Sequence, residues 1–306
     1  MNLVAFTGAL ELGLLYSIMA LGVYLTFRVL NFPDLTVDGS FTTGGAIAAV
    51  MIASGQSPLL ATVAAFAGGV AAGAITGLLH TKGKINALLS GILMMIALYS
   101  VNLRIMGKAN VPLLGIDTLF TGMQVLLVMP LVVLAVKLLL DWFLHTDLGL
   151  SIRATGDNDR MVRSFGVNTD TTTIIGVSLS NGLVALSGAL VSQQQGFAEV
   201  QMGVGMIVIG LASVIIGEAI FGAKNVFRAT LAVALGAIVY RVIVAAAMRW
   251  GLNPQDMKLM TSMIVVIALV LPRIQSAFRK KAMIRKRSAE LQTASPAQGS
   301  HQGGNQ

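Results

Sequence analysis

The acidic side chains able to carry a proton or a cation are few and sit in apolar surroundings. Glu11 lies inside an apolar run, Asp34 and Asp38 flank a proline-containing break, and Glu199 occupies a similar break in the second half. A charge at the bilayer centre costs about 2.5–3.5 kcal/mol on insertion scales, so such groups face water or a partner. One chemistry open to them is an ion relay. The plainer one for Asp34 and Asp38 is helix capping, because a carboxylate just before a helix satisfies free N–H groups and complements the dipole; for Glu11 it is a partner inside a bundle. Lys137 and Asp141, four residues apart, share a helical face and can pair. Arg241, beside Tyr240 and a Val/Ala run, is expected to be the most buried base, paired with an acid or lining a polar cavity. His80, His145 and His301 lack metal-ligand spacing, and the 16 methionines read as soft packing. With no cysteine there is no disulfide, thiolate site or thiol nucleophile, and no phosphate-cradling G-x-x-x-x-G-K-S/T loop occurs. No catalytic and no metal-binding residue is therefore assigned.

The most informative hydrophilic stretch is 146–172, TDLGLSIRATGDNDRMVRSFGVNTDTT. Asp157 or Asn158 can cap a short helix running to about Ser164, and Gly166 can end it. Such a helix carries both charge signs and presents Met161, Val162 and Phe165, as a docking surface for another protein would; a short helix lying on a membrane is the alternative.

The elements that must position these groups follow from composition. Apolar residues make up 55% of the 306 and charged ones 11%, which is too little charge for a water-facing surface and excludes an ordinary soluble enzyme. Nine apolar runs approach or reach membrane-crossing length: 3–27, 41–53, 58–79, 85–106, 119–136, 173–191, 203–216, 226–248 and 260–278, of which 41–53 and 203–216 are short. The first lacks a basic leader and reads as a retained helix rather than a signal peptide. Short loops holding Lys and Arg resist translocation. That rule places Arg28, Lys82, Lys84, Arg153, Arg160, Arg163, Lys224, Arg228 and the basic run 273–287 on one, cytoplasmic, side, so the +8 net charge records orientation rather than nucleic-acid binding. The C-terminus is expected to be cytoplasmic and the N-terminus outside if all nine runs cross. Residues 1–278 form the membrane domain and 279–306 a basic, then disordered, tail.

An internal echo at an offset of 165 pairs Phe32 with Phe197, Asp34 with Glu199, Leu35 with Val200 and Gly45 with Gly210. The charges send the two short runs in opposite directions, as in an inverted repeat, where interrupted helices border a solute path. Asp34, Thr36, Asp38, Ser40, Glu199 and Gln201 would flank that path. The expected fold is an all-α polytopic membrane protein of about eight to ten transmembrane helices, some short or broken, with an inverted repeat.

The 146–172 segment also resembles permease subunits of ABC importers of the branched-chain amino acid and ribose type, whose cytoplasmic loop reads G-x-x-x-R-A-x-G-x-N and then G-x-N. The matching residues are Gly149, Arg153, Ala154, Gly156, Asn158, Gly166 and Asn168. The stretch PDLTVDGS at 33–40 is similar to a subgroup associated with amino acids or poorly defined solutes. The resemblance, over about residues 8–272, implies an importer permease in a bacterial inner membrane. It implies a coupling helix carrying Asp157, Arg160 and Phe165 that docks on a separate ABC ATPase, which binds the ATP and magnesium. It also implies a second permease copy and an extracytoplasmic solute-binding protein, with no cofactor in this chain. A secondary transporter driven by an ion gradient is the competing expectation.

Overall fold

The computed structural model describes residues 3–122, 124–249 and positions 259, 262, 263, 266 and 270. The candidate span 260–278 falls almost wholly outside them, and the basic run and tail 279–306 wholly so. One compact unit, Met1–Val265, contains every element from Leu3 to Arg249.

In hydrocarbon every backbone N–H and C=O must be satisfied within its own segment, which leaves helices as the means of crossing. The apolar runs accordingly form α1 (Leu3–Tyr24, continued by a π-helical turn, Leu25–Val29), α2 (Thr36–Ala53), α3 (Pro58–Thr81), α4 (Ala87–Met106) and α5 (Val125–His145). They continue as α6 (Asp147–Ser164), α7 (Thr169–Gln195), α8 (Met206–Phe221) and α9 (Val226–Arg249). Two three-residue strands, β1 (Asn110–Pro112) and β2 (Phe197–Glu199), pair antiparallel with Val111 opposite Ala198. Among the described residues seven helices are long and apolar enough to cross a membrane, with α8 shorter at 16 residues. This is the all-α polytopic architecture the composition implies.

The centre is α7, which packs against α3, α2 and α1. Its small polar residues bind its neighbours, as expected where apolar burial cannot distinguish helix from lipid. Ser180 Oγ donates to Gly22 O at 2.6 Å and Ser187 Oγ to Leu15 O at 2.8 Å, both on α1; Gln193 Nε2 donates to Thr62 Oγ1 on α3 at 2.9 Å. The outer faces are lipid-like: Leu127, Leu131, Leu138 and Leu139 of α5 are exposed.

Several spans begin or end differently from the sequence expectation: α5 starts at Val125 rather than 119, α7 spans Thr169–Gln195 rather than 173–191, and α8 spans Met206–Phe221 rather than 203–216. In two cases a polar residue matched inside the protein accounts for the shift. The run expected to start at 41 starts at Thr36, since Thr36 bonds Thr76 at 2.9 Å and Ser40 bonds Asn181 at 2.7 Å. The run expected to stop at 136 continues to His145 through Lys137 and Asp141, which meet at 2.6 Å. Lys137, 1% exposed, is more buried than Arg241, contrary to expectation. It lies over the Phe227 ring, and Thr230 Oγ1 donates to Asp141 at 2.7 Å. Arg241 stands 5.2 Å over the Tyr16 ring.

Candidate functional site

Two regions gather the residues with chemical potential: a junction where the two breaks meet, and the surface of α6.

At the junction, α2 begins against the start of α8. Asp38, in the first turn of α2, reaches across to α8. Its carboxylate accepts N–H bonds from Gly205 and Ile207, both at 2.8 Å. The capping anticipated for Asp38 is real, but the helix it caps lies far along the chain. Gly205 at φ +89° turns the backbone into α8, a conformation that a side chain would strain. Gly203 donates to Thr42 Oγ1 at 3.1 Å and lies so close to Asp38 O that a Cβ would collide with it. Asp34 caps its own helix: Oδ1 accepts from the Thr36 N–H at 2.8 Å, while Oδ2 accepts from Asn181 Nδ2 at 2.6 Å.

From this shared point the helices diverge. The α2 helix runs to the end with the β pair, where Ile52 shares a cluster with Val111 and Ala198. The α8 helix runs to the α6 end, where Glu218 pairs with Arg28 at 2.9 Å. The opposite directions agree with the charge argument, but the echoed side chains do not share environments. Phe32 and Asp34 are buried, whereas Phe197 and Glu199 are exposed. Of the six residues expected along a path, Asp34, Thr36 and Ser40 lie buried in helix packing, Asp38 is partly buried, and Glu199 and Gln201 are exposed. Glu11 accepts from Gln194 Nε2 at 3.0 Å, beside a polar recess of about 570 Å³ that also holds Thr118 and Thr121.

The α6 surface is built by local signals. Thr146 Oγ1 caps the first turn through the Gly149 N–H at 3.3 Å. Asn158 (φ −156°, ψ 94°) breaks α6 in two, and its Oδ1 caps the second piece through the Met161 N–H at 3.1 Å. The chain turns at Gly166, φ +85°. Asn168 then caps α7 by accepting from the Asp170 and Thr171 N–H groups at 3.1 and 3.3 Å. The G-x-N pair is thus a helix stop followed by a helix start. Gly149 lies against the last turn of α5, and Gly156 against Val29 and Leu30; a Cβ at either would strike a carbonyl oxygen.

Recesses of about 870 and 930 Å³ flank α6, and both include Asn31, Gly156 and Asp157. The first holds Lys84, Asn158, Arg160 and Arg163, and the second Arg28, Arg153, Ala154, Glu218 and Lys224. Lys82 pairs with Asp170 at 3.6 Å at this same end. Among the described residues, Arg28, Lys82, Lys84, Arg153, Arg160, Arg163 and Lys224, all assigned to one side from the sequence, therefore do share one end of the bundle; the basic run 273–287 lies outside the described residues. Phe165 is 78% exposed and Met161 is exposed, but Val162, expected beside them, is buried. Sequence reasoning missed Thr146, Glu218 and the Thr155–Thr172 hydroxyl contact at 2.9 Å that fastens α6 to α7. An acid just past the end of an apolar run was the available signal for Glu218.

Residues 6–270 match the family model described as the branched-chain amino acid transport system permease component. A tyrosine transport system permease protein of Clostridioides difficile is 44% identical over 268 residues, 87% of this chain and 91% of that protein. The ribose import permease of Escherichia coli K12 is 31% identical over 182 residues, 55% of this chain and 54% of that one. Among solved structures, the PsaBC complex of Streptococcus pneumoniae with Fab matches with a TM-score of 0.52 at 13% identity, over 85% of this chain and 89% of that one, a likeness of fold.

Proposed function

The chain belongs to the branched-chain amino acid transport system permease family of ABC transporters, and from that premise we propose that it is the transmembrane subunit of an ATP-driven importer carrying an amino acid or related small solute into the cytoplasm. The observation that carries the reading is α6: a kinked amphipathic helix at the basic end of the bundle, with Phe165 and Met161 exposed and charged recesses on both flanks. A separate ATPase subunit, holding ATP and magnesium, docks there. Its closure moves α6 as a lever, because Gly156 seats α6 on the end of α1 with no side chain to yield between them. The permease works as a pair of copies served by an extracytoplasmic solute-binding protein, in a bacterial inner membrane with the α6 end and the C-terminus cytoplasmic. Of the six path residues, Asp34, Thr36, Asp38 and Ser40 act at the junction by setting the two helix starts, and the exposed Glu199 and Gln201 act toward the β-pair end by facing the solute's entry.

The ion-gradient alternative has less to draw on, since Asp34 is held by Thr36 and Asn181 and Glu11 by Gln194. The deciding experiment replaces Gly156 and Asn158 together. ATP hydrolysis should then proceed without solute uptake while the protein stays in the membrane. Unaltered uptake would remove the docking role, and uptake by the chain alone in liposomes on a proton or sodium gradient would replace this reading with the secondary transporter.

A further inference from the structure

At the junction, α2, α4 and the segment 200–204 border a largely apolar, open-mouthed cavity of about 340 Å³, lined by Asp38, Thr42, Met95, Val200 and the exposed Tyr99 and Val204. Its volume lies toward the small end of the roughly 300–1,000 Å³ usual for small-molecule sites. The cavity contains one carboxylate. The Asp38 carboxylate accepts from Gly205 on Oδ2 and Ile207 on Oδ1, with the Met206 N–H also directed at it, and two oxygens offer about four lone pairs, so acceptor capacity remains for a donor arriving from the cavity. Asn102 also borders it; this residue is buried, its Nδ2 donates to Gly39 O at 3.2 Å, and its Oδ1 has no hydrogen-bond partner in the protein.

We propose that this cavity is a transit subsite for an α-amino acid with an apolar or aromatic side chain, its ammonium on Asp38 and its side chain against Tyr99, Met95 and Val204. The assignment rests on the importer reading and narrows its substrate. The wall favours an apolar side chain over the other obvious solutes: its polar groups, Asp38, Thr42, Ser100 and Asn102, are fewer than the oxygens a hard cation needs, and the rest is a ring, a thioether and branched aliphatics suited to stacking and sulfur contacts rather than to the hydroxyls around a sugar ring. The site also has a mechanical consequence. An ammonium on Asp38 shares the carboxylate that caps α8, and the far end of α8 carries Glu218, which pairs with Arg28 in the recess beside α6. Occupancy at the junction is thereby linked through one helix to the surface where the ATPase docks.

The cysteine-free sequence allows a direct test. In the full chain, assembled with its ATPase subunit in nanodiscs, Ser100→Cys places a single thiol on the cavity wall and Ser54→Cys provides an exposed reference. Millimolar L-phenylalanine or L-tyrosine should slow maleimide labelling at position 100 about tenfold, the occupancy effect of a ligand at roughly ten times its dissociation constant. D-ribose should not slow it, and labelling at position 54 should not change. Equal labelling with and without the amino acids, or equal protection by ribose, overturns the proposal. Filling the cavity with Val204→Trp should lower phenylalanine uptake by about tenfold, near 1.4 kcal/mol, and unaltered uptake also overturns it. The importer reading fails separately, if the ATPase subunit does not co-purify or uptake does not need ATP.

Discussion

The junction and the α6 surface use the same devices, glycines, caps and charged side chains, at opposite ranges. Around α6 the key bonds connect neighbours: Thr146 to Gly149, Asn158 to Met161, Asn168 to Asp170 and Thr171. At the junction they join distant parts of the chain: Asp38 to Gly205 and Ile207, Asp34 and Ser40 to Asn181, Gly203 to Thr42. The first region shapes an exposed surface, and apart from Gly149 and Gly156, which seat α6 on α5 and α1, its outward side chains such as Phe165 and Met161 take little part in the bundle's packing. The second holds two helix starts together inside the protein, so its residues serve stability and transport together.

That contrast is broken or sharpened by substitutions with graded effects on stability. Lys137→Met, which leaves Asp141 charged and buried, should show the largest loss, about 3–5 kcal/mol, whereas the Lys137→Met, Asp141→Leu double variant should lose far less; thermal unfolding in detergent measures both. Asp38→Ala should cost about 2 kcal/mol by freeing two N–H groups at the start of α8, and should abolish uptake as well, with Asp38→Asn intermediate. A stable Asp38→Ala protein would show that the junction is not held by this bond. Asn158→Ala removes a local cap and should cost about 0.5–1 kcal/mol, with weaker ATPase association in a pull-down. Phe165→Ala should shift stability by no more than about 0.5 kcal/mol, yet reduce ATPase association by about tenfold. If Phe165→Ala instead lowered the melting temperature as Asp38→Ala does, the division between the two regions would collapse.

The sequence by itself determined the helical crossings, the charge asymmetry between the ends, the Lys137–Asp141 pair and the stop-and-start geometry around Gly166 and Asn168. Each depends on residues within about one helical turn, or on the solvation of a whole run, and both can be read along the chain. It could not determine which helix Asp38 caps, that α2 begins five residues before its apolar run, that Lys137 is the more buried base, or that Val162 turns inward while Phe165 faces out. Polar residues were discounted as span breakers because their cost depends on partners, and those partners, Thr76, Asn181, Thr230 and the backbone of α8, lie between 40 and 169 residues away. A hydrogen bond across such a separation exists only once the bundle has closed, so only the tertiary structure could decide which buried polar groups are satisfied and which are left to meet a solute.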